Sequence, residues 1–206
     1  MTCCIDKVLG EVPVTGKISI MREKLRDKTR DKLAEQLNAI GVTATLSGRD
    51  RPEEKVGNRV FRRSLGIIDI TDGGLIKWIN IIKQDRQKDS PPRWWIYLGV
   101  PGDMQLPKSR SVNIRTKRKK SFPLFGKIIG VTWKGQDRNH GLAKKLSDDV
   151  ETDNLATGIG NIRVQTLHED FNGWSIEIDR RFDPTPEIWK SLQRVADISV
   201  KSIAYF

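Results

Sequence analysis

Two apolar runs around one tight turn restrict the fold of this chain more than any other feature. Residues 60–71 and 75–84 flank Asp72-Gly73-Gly74, a composition that suits the positive φ angles of a hairpin turn. The first run ends Leu65-Gly66-Ile67-Ile68-Asp69-Ile70, and the second reads Leu75-Ile76-Lys77-Trp78-Ile79-Asn80-Ile81-Ile82. Side chains alternate between the two faces of a strand, so arms that are apolar on both faces require cover on both sides.

The remaining elements are arranged around that hairpin. From Ser19 to Ile40, Met21, Leu25, Leu33, Leu37 and Ile40 recur at helical spacing among mixed charges, and Gly41 supplies a stop. Val42–Leu46 and Arg93–Val100 read as strands, the latter ended by Pro101-Gly102-Asp103. A helix is expected over Asn139–Val150 through Leu142, Leu146 and Val150. Ile162–Thr166 and Trp174–Asp179 alternate as a second hairpin, with Glu177 and Asp179 on its solvent side. Thr185 then caps a last helix whose first position is Pro186. The expected class is α+β: mixed or antiparallel sheet, an N-terminal amphipathic helix and a C-terminal helix-hairpin-helix (αββα) unit. The expected division is a β-rich half over 1–105, a basic connecting segment over 106–123 and an α+β half over 124–206, with one continuous domain as the alternative.

Charge carries the functional signal. The chain holds 37 basic and 26 acidic residues, and nine of the basic ones lie between Met104 and Gln136, where no acid occurs. Outside that window the balance is 28 to 26, so nearly all of the net charge of +11 is local. Lys108, Arg110, Arg115, Lys117, Arg118, Lys119 and Lys120 are the densest part. Such a run repels itself unless it faces solvent or anions. Phe122, Phe125 and Trp133 flank it and Trp94-Trp95 precede it, rings that either fill the core or stack on unpaired bases.

Catalytic chemistry finds little to stand on. The only histidines, His140 and His168, match no metal-ligand spacing, and both read as turn or surface residues. Gly158-Ile159-Gly160 precedes a strand rather than a helix, the reverse of a dinucleotide-binding turn. Cys3 and Cys4 are adjacent, which excludes a disulfide framework or a four-ligand zinc site and suggests a reducing, intracellular setting. No run is long and apolar enough to span a membrane. The expectation is therefore a soluble, intracellular, non-enzymatic protein without cofactor or metal, which binds DNA or RNA independently of sequence through the basic segment. Docking of an acidic protein partner is the alternative. Behind it come a metal-dependent phosphodiester enzyme using Glu177 and Asp179, and an anionic membrane surface.

Overall fold

The structure is a computed structural model and describes residues 27–86, 88–102, 111–121, 128–137, 141–166, 168 and 171–203. The two apolar arms form β2 (Arg62–Ile70) and β3 (Trp78–Gln84), paired antiparallel around the Asp72 turn. Around them stand β1 (Ala44–Leu46), β4 (Arg93–Pro101), β5 (Asn113–Lys120), β6 (Ile128–Gln136), β7 (Ile162–Gln165) and β8 (Gly173–Ile178). All eight join one sheet in the order β1-β2-β3-β4-β8-β7-β5-β6, and every neighbouring pair is antiparallel. The fold is α+β. Strands from early and late in the chain share the sheet, because β8 pairs with β4 on one side and β7 on the other.

Among the described residues four helices cover one face: α1 (Thr29–Ala39), α2 (Leu142–Asp148), α3 (Val150–Ile159) and α4 (Pro186–Ile203). Leu37 of α1, Leu146 of α2, Ala156 of α3 and Leu192 of α4 are buried in the same cluster as Ile79, Leu98, Ile114 and Ile176 of the strands. Each large apolar side chain so buried contributes roughly 1.5–3 kcal/mol. α4 also holds the founding hairpin, since Trp189 Nε1 donates to Asp72 at 2.9 Å and Gln193 Oε1 accepts from Leu75 N at 2.9 Å.

Two helical boundaries differ from the sequence expectation. Of the helix expected over Ser19–Ile40, α1 is described from Thr29, and the residues before Asp27 lie outside the described residues. In place of one helix over Asn139–Val150 there are two, because Asp149 leaves the helical conformation and its carboxylate accepts from Thr152 N to cap α3.

Among the described residues the opposite face carries no α-helix. Over β2, β3 and β4 it is covered by a 3-10 turn, Pro52–Lys55, and by Phe171, above a smaller cluster of Val56, Ile67, Trp78, Ile82, Trp95 and Tyr97. Gly57 has φ +80, and a Cβ there would collide with the Tyr97 ring, so only glycine brings this loop onto the tyrosine. Buried Asn80 fixes the turn from below. Its Nδ2 donates to the carbonyls of Glu53, Glu54 and Val56 at 3.0–3.1 Å, and its Oδ1 accepts from the Ser64 hydroxyl at 2.7 Å. The cover that the two-sided hairpin demanded is thus four helices below and one short strap above.

Two further contacts close the frame. β6 lies at the sheet edge, yet its Val131 and Trp133 amides donate to Asp153 and to Ser147 Oγ, both at 3.0 Å. Those donors are therefore withheld from another chain's strand. At the other end, Lys83 of β3 meets Asp27 at 2.8 Å, tying the entry of α1 to the sheet. Burial opposes ionisation of Asp27, but hydrogen bonds from Lys83 and Thr29 outweigh it and hold the carboxyl at about 2. A carboxyl depressed by folding contributes stability above its ordinary value of 3.8, and that share is lost as pH falls through about 2. Thermal unfolding across this window should show a smaller acid-induced loss for Asp27→Asn than for the wild type.

Candidate nucleic-acid interface

The basic run forms a strand. β5 pairs with β6 along its length and with β7 over Asn113–Arg115, so its residues divide between the two faces of the sheet. Val112, Ile114 and Thr116 are buried, the first two in the helix-side core. Arg115, Lys117 and Lys119 take the alternate positions and are exposed on the helix-free face. Lys134 of β6 lies opposite Arg115 and is exposed as well.

Arg118 has the parity of Thr116 and is half-buried on the helix side, where its Nε and Nη2 are enclosed without a hydrogen-bond partner. Burial, together with neighbouring Arg180, lowers its pKa, and Asp179 offsets part of this. Lys120 ends the strand opposite Ile128, after a register shift. Lys108 and Arg110 lie outside the described residues, as do Phe122, Phe125 and His140. Of the seven expected binding residues, the four whose side chains are described divide between the two faces of the sheet. Three share the open face, one faces the other way, and the strand pairing explains the split.

Further cations on that face come from distant parts of the chain. Arg59 and Arg62, which bracket a turn before β2, and Arg163 of β7 line a groove of about 390 Å³ together with Arg115 and Lys117. The Arg62 guanidinium lies 3.6 Å from the centre of the Trp95 ring, a cation–π contact that fixes both groups. Trp94, on the other side of β4, is half-buried with Arg181 at 4.2 Å from its ring centre. Trp133 is core. The tryptophans near the basic run thus serve packing, whereas the arginines beside them were not legible as partners of β5, since they come from residues far from it in sequence.

Two acids lie in the groove, and both are engaged. Glu177 is 8% exposed, not on a wet face, and pairs with Arg163 at 3.3 Å. Burial, with Glu177 close by, pushes the Tyr97 hydroxyl above the usual tyrosine range, which keeps it a neutral hydrogen-bond partner of that carboxylate. Asp179 accepts from Asn161 N at 2.9 Å and from its side-chain amide at 2.6 Å, and meets Arg180 at 3.2 Å. Arg59, Arg62, Arg115, Lys117, Lys119 and Lys134 have no carboxylate partner among the described residues. The face therefore presents six uncompensated cations around a floor whose acids are already neutralised.

Among the described residues no group of three or more His, Cys, Asp or Glu side chains is placed to hold a metal ion. His168 is mostly enclosed beside Phe171, with ring centres 5.7 Å apart, and burial lowers its pKa. A larger cavity of about 900 Å³ opens between α1 and residues 179–183, where Gln36 bridges to Asp183 at 3.0 Å. No described helix is long and apolar enough to cross a membrane. In comparison with known proteins, no family model, no curated protein and no solved structure matches this chain.

Proposed function

We propose that this is a non-enzymatic, sequence-independent nucleic-acid-binding protein whose contact surface is the helix-free face of the sheet around β5. The observation that carries the reading is the set of six cations, Arg59, Arg62, Arg115, Lys117, Lys119 and Lys134, displayed without carboxylate partners on one open face. Like charges gathered this way repel one another in the free protein, and a polyanion relieves that repulsion while releasing its own counterions. Five of the six cations stand on paired strands, and Arg59 is bridged to Arg62, so little ordering entropy is lost when phosphates meet them.

In this proposal the helices are the backing of the platform: the amphipathic helix that the sequence starts near Ser19, and the C-terminal helix-hairpin-helix unit. Residues 1–105 and 124–206 act as one continuous unit, and the setting is intracellular. Among the described residues the face carries no helix that could enter a groove and read bases, which favours contact to the phosphate backbone.

The test is fluorescence anisotropy with labelled DNA and RNA over a series of salt concentrations. With about five cations at phosphates, log affinity should fall against log salt with a slope near −4.5 on duplex DNA. A flat response would remove the proposal. An acidic protein could seat on the same charges, and recovery of a stable protein complex that nuclease leaves intact would favour that partner instead.

A further inference from the structure

One turn beside the groove is built in a way that packing does not explain. Arg59-Val60-Phe61-Arg62 closes through a bridge between Arg59 and Arg62, with Arg62 N donating to Arg59 O at 2.9 Å. Phe61 occupies the third position with φ +69, the sign pattern of a type II turn, where glycine or asparagine normally stands. A bulky L-residue is strained in this conformation. The phenylalanine recovers nothing from the core, since it is 77% exposed, and Val60 beside it is 79% exposed. Folding alone would be better served by a small residue here, so the ring's use lies outside the fold.

Its surroundings indicate what it meets. Both arginines that bracket the turn line the groove with Arg115, Lys117 and Arg163, and Arg62 is held there by Trp95. An apolar ring carried between unpaired cations fits a ligand that alternates anionic groups with flat apolar faces. A single-stranded nucleic acid has that character, because its bases are free to stack on aromatic side chains while its phosphates follow a basic groove. In a duplex the base faces are already stacked on one another.

We infer that Phe61 is a stacking residue for an unpaired base, so that the basic face takes single-stranded in preference to double-stranded nucleic acid. This rests on the nucleic-acid reading of the same face and adds the strand state of the ligand. A turn bearing Phe61 between Arg59 and Arg62 then plays two parts: the arginines place the backbone, and the ring receives a base.

The experiment uses three labelled probes of equal length, oligothymidylate, its abasic counterpart and a blunt duplex, with the wild type, Phe61→Asn and Phe61→Tyr. An abasic strand keeps the phosphates and removes the stacking partner. The wild type should bind oligothymidylate about 5- to 150-fold more tightly than the abasic strand, the range expected for one stacked base. F61N should lose that preference while keeping the salt slope, and F61Y should retain it. Asparagine suits the left-handed position, so F61N should also melt no lower than the wild type, which separates lost stacking from a lost turn. Equal binding of thymidylate and abasic strands by the wild type, with the salt slope intact, would overturn the stacking role and leave the phosphate-binding face standing. Absence of salt-dependent binding to any probe would overturn both. Loss of binding to anionic phospholipid vesicles in F61N, with strand binding unchanged, would reassign the ring to a membrane surface and overturn the inference.

Discussion

Asn80→Ala should destabilise the protein by about 3–4 kcal/mol, among the largest effects of any single polar substitution in the molecule. The side chain is fully buried in β3 and reaches three carbonyl acceptors of the strap, those of Glu53, Glu54 and Val56, while accepting from Ser64. Truncation leaves the Ser64 hydroxyl proton without its acceptor and the Glu54 and Val56 carbonyls without this donor, and each buried group so stranded costs roughly 1–3 kcal/mol. Asn80→Asp should be worse than Asn80→Leu, because an acid would turn a carboxylate toward carbonyl oxygens. Chemical denaturation is the direct measurement. A second readout follows from position. The strap leads through Gly57, packed on Tyr97, into Arg59 and Arg62, so N80A should also weaken nucleic-acid binding under conditions where it remains folded. Unchanged stability would mean that the strap is not anchored through this residue.

The degree to which fold and site were legible depended on the kind of pattern each residue belonged to. β2, β3 and β4 could be read because Ile67–Ile70, Trp78–Ile82 and Trp94–Leu98 combine apolar content with turn residues at both ends. β5 could not. Arg115-Thr116-Lys117-Arg118-Lys119-Lys120 carries no apolar stripe, and its strand conformation comes from pairing with β6, the next strand, and with β7, which lies further along the chain. Read as a charge run together with Lys108 and Arg110, it suggested seven equivalent cations. Read as a strand, it places Arg115, Lys117 and Lys119 apart from Arg118. Glu177 was misplaced for a related reason. Alternation does put it opposite Trp174 and Ile176, but the face it occupies is covered by arginines from β7 and from the turn before β2. Phe61 had no local signal at all, because an apolar residue next to an apolar run looks like the start of a strand until its φ is known.

That division between faces leads to the largest expected effect on binding. Changing Arg115, Lys117 and Lys119 together to glutamine should reduce the magnitude of the salt slope by about 2.7 and weaken duplex binding roughly 100-fold at moderate salt. All three are exposed and carry no fold contact through their charges, so melting should be unchanged or slightly higher as mutual repulsion is relieved. Arg118→Met should behave in the opposite manner. The guanidinium is enclosed with Nε and Nη2 unpartnered and with Arg180 close by, an arrangement that costs stability in the free protein. An apolar side chain of similar length fills the same space without that cost, and a gain of about 1–2 kcal/mol is expected, with affinity within roughly twofold of the wild type. The two variants therefore separate charge that binds from charge that is merely near it in sequence. If R118M instead lost as much affinity as the triple variant, the cations would be acting together as one segment. The strand's division of them between two faces would then have no bearing on function.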